Sequence, residues 1–160
     1  MYVGIDLAAK EENETGICIL DGDIEVQLVF KNHEIIKSVK KASVAAIDAP
    51  LTESEEAFRP AERELMSNFG PMLPLNTPGM KTLSKRAKRI KKALEGKCEI
   101  IETYPRAVEE ILDVEKERGD FESQHEFDAY LCALTAQSYS DGNYKKYGQE
   151  PENIILPSRS

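Results

Sequence analysis

Tyr2-Val3-Gly4-Ile5-Asp6-Leu7-Ala8, Thr15-Gly16-Ile17-Cys18-Ile19-Leu20 and Ile24-Glu25-Val26-Gln27-Leu28-Val29-Phe30 decide the fold class of this chain. Each is a short run rich in apolar and β-branched residues, the composition of a strand. Asp21-Gly22-Asp23 between the second and third runs predicts a tight hairpin turn. Working outward, Glu34 to Lys41 reads as a short helix and Ser43 to Asp48 as a buried strand. That strand stops at Ala49-Pro50, because proline cannot donate to a ladder. Pro60 and Gly70 bracket a helix through Glu62, Leu65 and Met66. Gly70 to Gly79 contains Pro71, Pro74 and Pro78 and reads as an ordered, irregular loop. Cys98 to Thr103 is a further strand, Arg106 to Glu115 and Glu122 to Tyr139 are helices, and Ile154 to Leu156 is a candidate short final strand. This order predicts an α/β fold with a mixed five-stranded sheet. The first three strands are antiparallel, and the later ones are parallel and reached through right-handed helical crossovers, with helices on both faces.

With 160 residues, against about 150 per domain, the expectation is a single domain over residues 1–160. Hydrophobic residues make up 41% and charged residues 31%, which excludes disorder as the default state. No apolar run approaches the roughly 18 residues that span a bilayer. The N-terminal stretch lacks a basic region and is broken at Asp6, which argues against a signal peptide. Cys18, Cys98 and Cys132 are odd in number, lack metal-ligand spacing, and read as reduced, packed thiols of a cytoplasmic protein. The formal net charge is −8. Yet Lys81, Lys85, Arg86, Lys88, Arg89, Lys91, Lys92 and Lys97 face only Glu95 in their stretch. Leu83, Ala87, Ile90 and Leu94 recur there at helical spacing, so the segment predicts an amphipathic helix with a cationic outer face. Such a face is either a solvated surface or a phosphate-contacting patch for nucleic acid.

Four acids stand in unusual places. Asp6 alternates onto the face of Gly4 and Ala8, opposite Val3, Ile5 and Leu7. Asp48 and Glu102 close apolar strands. Asp128 lies in Phe127-Asp128-Ala129-Tyr130-Leu131-Cys132-Ala133-Leu134, apolar around its whole circumference, with His125 three residues earlier on the same helix face. A local cap, turn or buried ion pair accounts for any one of them. Parallel pairing of the first strand with the Asp48 strand would instead bring two carboxylates to the carboxyl edge of the sheet, where open α/β sheets place their ligands. Clustered carboxylates repel unless a cation is present. Hard oxygen donors suit Mg²⁺ or Mn²⁺ rather than zinc, and two such ions serve phosphodiester hydrolysis.

Gly4-Ile5-Asp6-Leu7-Ala8, Thr15-Gly16, Ile47-Asp48-Ala49-Pro50-Leu51, Arg59 with Glu62-Arg63, Ile101-Glu102-Thr103-Tyr104-Pro105 and His125-Glu126-Phe127-Asp128-Ala129 follow one another in a recognisable order. From about Tyr2 to Pro157 the chain resembles an uncharacterised family of predicted nucleases with an RNase H fold. More broadly it resembles the Holliday-junction resolvase branch of the RNase H-like superfamily. The resemblance implies a metal-dependent nuclease acting on DNA or RNA, with Asp6, Asp48 and Asp128 as metal ligands. Glu102 would be a fourth acid of the site or a partner of its ligands, and His125 a ligand or general base. The chain departs from that branch at Asp48, a shorter residue where a Glu ligand is expected. Arg59 and Arg63 are candidates to hold a phosphate or to form ion pairs, and Lys81, Lys85, Arg86 and Arg89 to grip the nucleic-acid backbone. The proline-rich loop is either a substrate lid or a plain crossover. Two alternatives remain. One is an ATP-binding protein of the sugar-kinase and actin lineage, in which Thr15-Gly16 would touch phosphate and a homodimer would be required. The other is a non-catalytic nucleic-acid-binding module.

Overall fold

Val3, Ile5 and Leu7 pack into one apolar cluster while Gly4 faces the opposite layer, so the first strand alternates as its sequence requires. The computed structural model describes residues 1–159. Five strands form the main sheet: β1 (Tyr2–Asp6), β2 (Thr15–Asp21), β3 (Asp23–Val29), β4 (Val44–Ile47) and β5 (Glu99–Glu102), in the order β3-β2-β1-β4-β5. The first three are antiparallel neighbours, and β1–β4 and β4–β5 are parallel. Gly22 makes the β2–β3 turn at φ 82°, a left-handed conformation that glycine adopts freely.

The two faces are covered differently. On one, helices α1 (Asn32–Val39) and α3 (Pro78–Ala93) bring Ile35, Val39, Ala87 and Ile90 onto Val3, Ile5, Ile17, Ala45 and Ile47. On the other, α5 (Gln124–Ser140) runs across the sheet centre, with α2 (Pro60–Phe69) and α4 (Pro105–Leu112) beside it. The predicted single mixed α/β sheet with helices on both faces is therefore observed. No helix among the described residues is long and apolar enough to cross a membrane.

Two local expectations change, and one short strand finds its partner. The helix expected over Arg106 to Glu115 stops at Leu112, because Asp113 turns left-handed at φ 54°, and a 3-10 turn follows over Glu115–Asp120. The expected short final strand over Ile154 to Leu156 is present, outside the main sheet. As β7 (Ile154–Pro157) it pairs antiparallel with β6 (Tyr144–Tyr147), a strand the sequence reading did not contain. The irregular loop ends one residue before Pro78, which takes the first helical position of α3 behind the Thr77 cap.

Two glycines set how closely α5 approaches the sheet. A Cβ on Gly4 would lie 1.9 Å from the Ala129 carbonyl oxygen, and one on Gly16 would lie 2.4 Å from that of His125. Both obstacles are backbone, so only glycine admits the helix at this depth. Gly4→Ala forces α5 to lift, an overpacking cost of about 1–3 kcal/mol or more. At about 2–4 °C of melting temperature per kcal/mol for a chain of this size, a thermal melt reads it directly. An unchanged melting temperature would contradict the close approach.

Candidate functional site

Ile5 of β1 pairs with Ile47 of β4 in parallel register, and the Asp48 amide donates to the Ile5 carbonyl at 2.9 Å. Asp6 and Asp48, the next residues on each strand, thus leave the sheet side by side at its carboxyl edge. Asp6 also stands opposite Gly16 in the β1–β2 register. Because the Gly16 backbone lies under the His125 carbonyl, α5 delivers its first turns directly over Asp6. His125 Nδ1 lies 2.8 Å from Asp6 Oδ2. Asp128, one turn on, accepts from Gln124 Nε2 at 2.7 Å, and Gln124 in turn accepts from Arg118 Nη1 at 2.7 Å.

The electrostatics of these acids are coupled. Burial pushes the Asp48 carboxyl well above the usual range, and the charges of Asp6 and Asp128 push it further. Asp6 is raised by burial and drawn partly back by His125 and by a hydrogen bond with Asp48. Asp128 is raised to about 6, chiefly by burial and next by Asp6. Two neighbouring carboxylates repel when both are charged, which favours a proton on one of them. Among the described residues no Lys or Arg forms an ion pair with Asp6, Asp48 or Asp128. Among the described residues, His125 is the one basic side chain hydrogen-bonded to any of the three.

Three carboxylates without a strong cationic partner are a donor set of the hard-oxygen kind that Mg²⁺ and Mn²⁺ accept. Their side chains are near one another but do not close into a cage. Among the described residues no three His, Cys, Asp or Glu side chains have the spacing of a finished metal site. By donor chemistry the residues fit a divalent ion, and coordination requires their carboxyl groups to turn inward.

Glu102 lies beside Asp48, and its charge helps to raise the Asp48 carboxyl, but its own carboxylate is committed to Arg59. It is 6% exposed, and its carboxylate accepts from Leu51 N at 3.0 Å and from Arg59 Nη1 and Nη2 at 3.2 and 2.5 Å. Arg59 spends its remaining donors on Glu62, at 2.7 and 2.5 Å, and on Thr52 Oγ1 at 2.9 Å. All five guanidinium N–H groups are thereby used. Arg59 is 2% exposed and has nothing left for a phosphate. The structure therefore assigns Glu102 and Arg59 to each other, as an anchor tying the segment after β4 to the end of β5.

The basic candidates also divide. Arg86 turns inward, donating to the carbonyls of Ala8 and Phe30 and to Asn32 Oδ1 at 2.6, 2.7 and 2.8 Å, so it is a brace between β1, β3 and α1. Arg63 pairs with Glu56 at 3.4 Å and Lys81 with Glu55 at 3.2 Å, both in solvent. Lys85 and Arg89 are exposed and, among the described residues, make no ion pair. They remain the available cations of the six. Thr15 Oγ1 accepts from Ala8 N at 3.1 Å, and Gly16 is covered by α5, so neither is open to a nucleotide phosphate.

The sequence reading missed Gln124, which orients Asp128. Its position four residues before Asp128 on a helix is a signal that would have found it. Cys18 and Cys132 are free and buried, and burial pushes the Cys18 thiol up to about 12. No curated protein and no solved structure matches the chain. Residues 4–113, spanning β1 through α4 and including Asp6 and Asp48, match the family model described as a protein of unknown function (DUF429), and the chain belongs to that family.

Proposed function

We propose that the chain is a hydrolase that cleaves phosphodiester bonds of DNA or RNA, using Mg²⁺ or Mn²⁺ held by Asp6, Asp48 and Asp128. The observation that carries this reading is the β1–β4 register, which sets two half-buried acids at one sheet edge with Asp128 and His125 laid over them. The mixed five-stranded sheet also agrees with the RNase H-like resemblance. A bound divalent ion supplies Lewis-acid stabilisation of charge on the phosphate and lowers the pKa of water. The chain's own residues supply orientation and proton handling. Asp6 fixes the His125 ring through Nδ1, which leaves Nε2 to accept a proton from an attacking water. Gln124 holds Asp128 in place, and Lys85 and Arg89 attract the phosphate backbone in a salt-dependent way.

The expected result is cleavage of single- or double-stranded DNA or RNA in Mn²⁺ or Mg²⁺, abolished by EDTA. A second reading, a non-catalytic nucleic-acid-binding module, is favoured by the open spacing of the three carboxylates. Polynucleotide binding that weakens with salt, without cleavage in either metal, would select it.

A further inference from the structure

Beside Asp48 the sheet edge opens into a cavity of about 260 Å³. Its walls are largely apolar: Pro50 follows β4, Met72 and Leu73 come from the loop before α3, Met80 and Leu83 come from α3 itself, and Tyr104 precedes α4. No lysine or arginine lines it. Of its acids, Glu62 and Glu102 are taken by Arg59, and among the described residues Asp48 alone of the three makes no ion pair. Leu73 at the mouth is 73% exposed, a large apolar side chain that nothing in the chain covers.

A phosphate has no partner in such a space. A nucleobase has: it is flat and largely apolar on its faces. Methionine thioethers adapt to aromatic rings, and an aromatic side chain offers a stacking surface to any base. A cavity of about 150 Å³ holds benzene, so this one has room for one bicyclic base and none for a base pair. The placement fits the same substrate strand. Asp48 lines the cavity and is also one of the three acids proposed to hold the metal, so a base next to a phosphate bound there reaches the mouth. In a continuous duplex the bases are stacked and paired and cannot enter.

Resting on the hydrolytic reading above, we propose that this cavity receives one unstacked base, which makes single-stranded or locally unpaired nucleic acid the substrate rather than continuous duplex. The chain has four methionines, Met1, Met66, Met72 and Met80, and only the last two line the cavity. Protein carrying ¹³C-methyl methionine is titrated, in EDTA so that no strand is cut, with a deoxyadenylate hexamer, with the same hexamer made abasic, and with the hexamer in duplex. The expected result is a shift of the Met72 and Met80 methyl signals with the single-stranded hexamer alone. Affinity should be at least tenfold weaker for the abasic and duplex forms, and Leu73→Asp should weaken hexamer binding by a similar factor while Leu73→Phe preserves it. Unmoved Met72 and Met80 signals, or equal affinity for the abasic strand, overturn the base pocket even if cleavage in Mn²⁺ proceeds. Shifts at both methyls with no cleavage in Mn²⁺ uphold the pocket as a site for an unpaired base and sink the hydrolytic reading instead.

Discussion

Asp6→Asn is expected to leave a folded protein whose Mn²⁺-dependent cleavage is at least about a hundredfold slower. Loss of a group that merely orients a metal ligand costs about 10–100-fold, and loss of a ligand costs no less. The substitution keeps the shape of the side chain, and the new amide oxygen still accepts from His125 Nδ1. It also removes one of the charges that push Asp48 and Asp128 upward. The melting temperature should therefore hold or rise while activity falls. That pairing separates a site defect from unfolding. Cleavage by Asp6→Asn at the parent rate would end the hydrolytic reading.

Arg59→Ala is expected to produce the largest loss of stability of any single substitution considered. Arg59 stands between Glu62 and Glu102, all three under 10% exposed, and among the described residues is the one cation hydrogen-bonded to either acid. Removing one member of a buried ionic cluster costs about 3–5 kcal/mol, because the remaining charges are left uncompensated. Against a total stability of about 5–15 kcal/mol, that is a third or more for a chain near the middle of the range. Chemical denaturation measures it. Glu102→Gln should cost less, since the amide oxygen still accepts from Arg59 and one acid is gone. An Arg59→Ala protein as stable as the parent would show that the cluster does not anchor the segment after β4.

The strands were legible because they are short, apolar and separated by turn residues. The Gly4/Asp6 face followed from alternation alone, and the meeting of Asp6 with Asp48 needed only parallel pairing of their strands. Asp128 and His125 were legible as a pair through their spacing on a helix. What the sequence did not disclose is which charges neutralise one another across distance. Arg59 finds Glu102 from 43 positions away, and Arg86 reaches Ala8 from 78 positions away. Spacing on α3 puts Arg86 at the edge of the Leu83–Ile90 apolar face and Lys85 and Arg89 opposite it, but does not name the carbonyls that Arg86 reaches. β6 was hidden for a different reason: Tyr144-Lys145-Lys146-Tyr147 is short and polar, and it becomes a strand only because β7 pairs with it.

The most direct measurement is anomalous density in a crystal soaked in Mn²⁺. The account predicts a peak about 2.0–2.3 Å from carboxylate oxygens of Asp6, Asp48 and Asp128, distances typical of hard-cation coordination, with Glu102 still bound to Arg59. A well-ordered crystal at millimolar Mn²⁺ with no peak beside these three acids would contradict it.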